Sequence, residues 1–353
     1  PGEQLLAQWD FYAKEADAQV NRLWVGVTTS TSTTAIATTT SLQEEVREIR
    51  VYDGSTLVGS GVPAAGSGAQ RAGAILLENT GGLFTVPANS TKMITVKAVL
   101  GDCTDSACSS YTLKGQSGGA SSTNNIVAYI ATSSDFASGN VFEAVSGNTT
   151  LTSIASSAGQ EVGNAKRLYK SYPTITVSSP SSSTLTTGEI EAIKVTIAAN
   201  AAGDIEIGAL EINVVSSLAT ITANSIVVRS GGEEVTASTT IAADVSGGSG
   251  ADGRIEFSTP ERITAGTSKT YSIFLNVTAV GSGSDSLVTK LKGDATGFAT
   301  PNTYSLVRVA TPSLTWSDRA GSSGNIHSTT SADWHNDKNV KSLPSGAKGL
   351  TKS

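Results

Sequence analysis

The chain repeats itself, and any fold assigned to it has to accommodate the repeat. Gly2-Glu3 recurs as Gly188-Glu189, and Ala7, Trp9, Phe11 and Ala13 fall on Ile193, Val195, Ile197 and Ala199 at one constant spacing. One inserted residue later, Val20, Leu23, Val25 and Val27 fall on Ile207, Leu210, Ile212 and Val214. Apolar side chains recur on alternate residues, the period of a strand with one buried face. Residues 4–20 alone could be drawn as an amphipathic helix, but the alignment with a strand pattern makes 4–13 a strand. Val51-Tyr52-Asp53-Gly54 then matches Val228-Arg229-Ser230-Gly231, the turn leading to Lys92 matches the turn leading to Lys269, and 126–130 matches 287–291. Each copy holds about seven strands, the number expected of an immunoglobulin-like sandwich. The fold class predicted is all-β: two tandem immunoglobulin-like β-sandwich domains over 1–166 and 167–311, and an extended C-terminal tail strand within 312–353.

A shorter segment recurs out of place. Tyr172-Pro-Thr-Ile-Thr-Val-Ser178 reads as the opening strand of domain two, and a similar Thr311-Pro-Ser-Leu-Thr-Trp-Ser317 follows domain two. Copy one begins at Gly2, with no counterpart of this strand before it. A spare strand at one end and a vacancy at the other predict head-to-tail donation between copies of this chain, with Leu314 and Trp316 as anchors in place of Ile175 and Val177. Trp334, Val340 and Leu343 would continue over the neighbour and lock the joint. Large aromatics in a segment without a domain of its own point to burial against a partner, whereas Trp9 and Trp24 sit at core-parity positions. The competing expectation is a tail folded back on its own domain two.

The chemistry of the remaining residues narrows the function. Thirty acidic against 24 basic residues leave a net charge of −6, which argues against a nucleic-acid partner. No apolar run approaches the roughly 20 residues of a transmembrane helix. Cys103 and Cys108 are the two cysteines. Their spacing can bring the Cα atoms within the roughly 4.4–6.8 Å a disulfide needs, so a disulfide between them is expected, in keeping with an extracellular location. Asn89 and Asn148 are candidate glycan acceptors in predicted loops, and Asn276 lies in a predicted strand. His327 and His335, with Asp318, Asp333 and Asp337, could be drawn as a metal site, but a packed or solvated tail accounts for them more simply. No cofactor is expected. Calcium is weighed at Asp102 with Asp105 or Asp244 with Asp252, but no calcium-binding repeat supports either pair and turn roles are the preferred explanation. Lys92 and Lys269 are expected to be solvated turn or edge residues that discourage edge-to-edge aggregation. Nothing in the sequence points to catalysis, and a non-enzyme is predicted.

The tandem units, with Leu168-Tyr-Lys-Ser-Tyr-Pro-Thr-Ile-Thr-Val177, Val51-Tyr-Asp-Gly-Ser-Thr-Leu-Val58, Val86-Pro-Ala-Asn-Ser-Thr-Lys92, Pro312-Ser-Leu-Thr-Trp-Ser-Asp318 and His327-Ser-Thr-Thr-Ser-Ala-Asp-Trp334, resemble the β-sandwich, S-layer-like surface proteins of uncultivated bacterial lineages. The resemblance implies an extracellular structural role and supplies no catalytic residues. The subunit logic is similar to that of donor-strand-complemented fimbriae, although no fimbrial motif is shared. The expected function is a structural subunit of an extracellular, pilus-like filament or surface layer at the cell surface, with a surface anchor or glycan as a further partner. The alternative is an adhesin-like or carbohydrate-binding module array that is a fragment of a longer surface protein.

Overall fold

In the computed structural model the described residues are 2–28, 46–63, 73–100, 125–130, 142–152, 161–162, 166–167, 169–242, 250–293, 304–309, 311–320, 327–331, 333–338 and 340–352. They form two compact units that divide after residue 168. The fold is an all-β sandwich fold. Cys103, Cys108, Asp102, Asp105 and Asp244 lie outside the described residues.

The first unit runs β1 (Gly2–Ala13), β2 (Ala18–Thr28), β3 (Val46–Asp53), β4 (Thr56–Gly61), β5 (Ala74–Glu78), β6 (Phe84–Val86), β7 (Ser90–Leu100), β8 (Asn125–Ile130), β9 (Phe142–Ser146), β10 (Thr149–Leu151), β11 (Glu161–Val162) and β12 (Lys166–Arg167). One sheet has the order β1-β7-β3-β4. In the other, β2 is central, with β5 and β6 along one side and β8 and β9 along the other. The inward faces share one apolar core that includes Leu6, Val25, Ile49, Ile94, Val96 and Ile126. Each such side chain buried contributes about 1.5–3 kcal/mol, which is what fixes the inward parity of each strand.

The second unit runs β13 (Pro173–Ser178), β14 (Gly188–Ala199), β15 (Ile205–Ser216), β16 (Thr220–Ile221), β17 (Val227–Ser230), β18 (Glu233–Glu234), β19 (Ala237–Ile241), β20 (Ala251–Ile263), β21 (Ser268–Ala279), β22 (Ser286–Leu291), α1 (Tyr304–Val309), β23 (Leu314–Ser317), β24 (Trp334–His335) and β25 (Lys348–Thr351). Its sheets are ordered β13-β14-β21-β17-β18 and β19-β20-β15-β22-β25, with β23 also paired to β15. Equivalent strands of the two units keep equivalent registers. Trp9 faces Ile94 as Val195 faces Tyr271, and the ladder slips by one residue at Leu6 in β1 and at Ala192 in β14. The insertion read from the sequence falls in the turn, 14–17 between β1 and β2 against 200–204 between β14 and β15, and both copies share a strand irregularity just after it, between Val20 and Arg22 on β2 and between Ile207 and Ala209 on β15. Gly54 and Gly231 hold equivalent hairpin positions at φ 60° and 63°, where a side chain would be strained.

Candidate functional site

Residues proposed from the sequence to join subunits lie in the tail, and the structure places them in the second unit itself. β23 pairs antiparallel with β15, Leu314 opposite Leu210 and Trp316 opposite Ile207, and both side chains are buried in that unit's core. The Trp316 indole donates to the carbonyl of Asn336 at 2.8 Å and stacks against Tyr169 and His335. Trp334 is fully buried, donates to the Ser328 carbonyl at 3.1 Å and packs on Tyr304 of α1. Val340 is buried and Leu343 packs on the same core, while β25 pairs with β22 and brings in Leu350. Residues 312–353 are therefore no separate tail, and Leu314, Trp316, Trp334, Val340 and Leu343 are not free for a neighbour.

The physical reason is a counterpart that the repeat alignment left out. In the first unit β9 lies along β2 with Phe142 opposite Leu23 and Ala144 opposite Val20. Leu314 and Trp316 take those same places on β15. The tail strand is thus the second copy of β9 and not a second copy of β13. Likewise β12 pairs with the start of β8 as β25 pairs with the start of β22.

Buried polar groups hold this region together. His327 lies between two carboxylates, with Nδ1 2.8 Å from Asp333 and Nε2 2.7 Å from Glu206, and Glu206 also pairs with Arg319. Asp318 accepts from the backbone N–H groups of Lys170 and Ala320. His335 is buried between the rings of Trp316 and Tyr169. Ser317 and Ser331 flank His327 at 3.3 and 3.5 Å and are themselves buried. Among the described residues no group of three or more His, Cys, Asp or Glu is arranged to hold a metal ion. Asp252 accepts from Asn213 and pairs with Lys292.

Lys92 and Lys269 depart from expectation. Both sit on inner strands of their sheets, Lys92 paired with Asp53 at 2.7 Å and Lys269 paired with Glu261. They are ion-paired rather than simply solvated, and they guard no edge. Asn89 adopts φ 55° and accepts from the Glu15 N–H, while Asn148 is exposed in the β9–β10 turn.

The unmatched position is in the other sheet of the sandwich, beside β1. In the second unit β14 has β13 on one side and β21 on the other, with Pro173 opposite Ala199, Ile175 opposite Ile197 and Val177 opposite Val195. In the first unit β1 pairs with β7 alone among the described strands. Val195 and Ile197 are fully buried. Their larger counterparts Trp9 and Phe11 are half-buried, although both pack on the core. Gln8, Asp10 and Tyr12, the alternate residues, are exposed. The edge carries no Pro, and no Lys until residue 14, two of the devices that normally blunt an open edge.

No protein-family model matches the chain, and no curated protein is similar to it in sequence. Solved structures with some likeness include the full-length major pilin SpaD of Corynebacterium diphtheriae, at 8% identity and a TM-score of 0.22 over 81% of this chain and 61% of that one. The chain thus spans less than two thirds of that pilin. The collagen adhesin CNA of S. aureus is at 9% identity and a TM-score of 0.17, over 82% of this chain and 86% of that one. The C-terminal domain of the Streptococcus agalactiae polypeptide BspA is at 9% and 0.16, covering 82% and 80%. Scores this low carry no argument about fold or function. No helix among the described residues is long and apolar enough to cross a membrane.

Proposed function

We propose that the chain is a structural subunit of an extracellular filament or surface layer, in which sandwich domains are joined by strand addition. One observation carries the reading: β1 and β14 are equivalent strands, and among the described residues the edge beside β14 is filled by β13 while no strand lies along the same edge of β1. An open edge is a template for a further strand, and a head-to-tail contact of this kind propagates unless its rotation closes a ring. The cysteine pair supports an extracellular setting. The role is mechanical and not catalytic. Residues 312–353 complete their own domain and are not the donated segment. Immunogold labelling of intact cells of the native source with antibody to the full chain tests the reading. Label on external filaments or a continuous layer is expected, and label confined to the cell interior would overturn it.

A further inference from the structure

This inference rests on the proposed joining of domains by strand addition. We propose that β1 is an acceptor edge for one kind of partner, an extended strand of β13 chemistry that leaves the closing strand of another sandwich domain and runs antiparallel to residues 8–13.

The second unit supplies the template. Its β14 shares with β1 the length, the position of the irregularity and the register against the neighbouring strand. The irregularity at Ala192 precedes the stretch 194–199 that carries β13, so the equivalent one at Leu6 does not obstruct 8–13. A strand placed there would cover Trp9 and Phe11 as Val177 and Ile175 lie against Val195 and Ile197. Thr174, Thr176 and Ser178 are exposed, so the donor needs apolar side chains only at two alternate positions. A Pro at its start is tolerated because a first residue on an edge strand need not donate to the ladder. The donor's origin also has a precedent in the chain: β12 closes the first unit, and β13 begins six residues after Arg167. In this architecture the strand that completes one sandwich therefore follows the closing strand of the sandwich before it.

The test adds a synthetic peptide of residues 170–180 to the full chain and follows amide exchange by mass spectrometry together with tryptophan emission. Saturable binding with at least tenfold slower exchange across residues 8–13, unchanged exchange at 194–199, and a blue shift that is lost in Trp9→Phe are expected. A peptide carrying Ile175→Asp and Val177→Asp should bind at least tenfold more weakly. Equal binding of both peptides, protection at 194–199 instead, or no protection would overturn the proposal. So would a free chain that already protects residues 8–13 in a dimer of β1 edges. The two readings fail separately: external filaments with an unreactive β1 sink the acceptor edge alone, and peptide capture by a protein found only inside cells sinks the surface role alone.

Discussion

Asp285 is buried where the turn after β15 meets the turn after β21, and its carboxylate is fully subscribed. It accepts from the Ser217 hydroxyl at 2.5 Å and from the backbone N–H groups of Leu218 at 2.9 Å, Ser286 at 2.7 Å and Gly281 at 2.9 Å. Burial alone would raise its pKa, but these donors outweigh burial and hold it below the ordinary 3.8. A lowered folded-state value stabilises above the ordinary range and is lost as pH falls through it. Asp285→Asn should cost about 2 kcal/mol near neutral pH, because one acceptor becomes a donor facing donors. Denaturant titrations of the second unit should show that gap narrowing below pH 4; an equal gap at pH 7 and pH 3 would refute the assignment. Nothing in the sequence marked Asp285, since its partners come from two turns brought together only by sheet pairing. The lysines show the same limit: Lys92 and Lys269 are equivalent by position, yet their carboxylates come from different elements, β3 and β20.

At the scale of elements, β23 shows what periodicity can and cannot specify. Alternation identifies Leu314 and Trp316 as inward-facing, and they are. It does not say which sheet receives them, because Pro-x-apolar-Thr-apolar-Ser describes any strand with one buried face. The signal that would have resolved this was Phe142-Glu-Ala-Val145, a weak alternation that the repeat comparison passed over and that leaves a vacancy beside β15 for β23 to fill. By contrast, the register of β1, β2, β3, β7 and β8 against their counterparts was legible residue by residue, since long alternating runs bounded by turns admit few alignments. Trp316→Ala should destabilise the second unit by about 3–5 kcal/mol in denaturant titration, an effect absent from a tail that waits for a partner. Gly208, at the irregularity in β15, has the Tyr304 ring 2.3 Å from where a Cβ would stand, and the Tyr304 hydroxyl donates to its carbonyl at 3.2 Å. Gly208→Ala should cost about 1–3 kcal/mol through displacement of that ring, measurable as a lowered Tm.

For the whole molecule, the separate cores predict separate failures. Deleting residues 312–353 removes β23, β24 and β25 together and strips one partner strand each from β15 and β22. The truncated chain should lose the second unit's cooperative transition in calorimetry while keeping the first unit's. Retention of both transitions would show that the tail is dispensable.

The same wiring also dictates an order of events during synthesis. β13 leaves the ribosome before β14, so β14 has its neighbour waiting. β15 has no such provision: Glu206 pairs with Ser317, and β22, which also borders it, pairs with β25 at Thr351. Non-local pairings of that kind are slow, because the intervening chain must be closed before any contact rewards it. The second sandwich therefore cannot be sealed until almost its last residue has emerged, and over that interval its apolar interior is the part of the nascent chain most in need of protection.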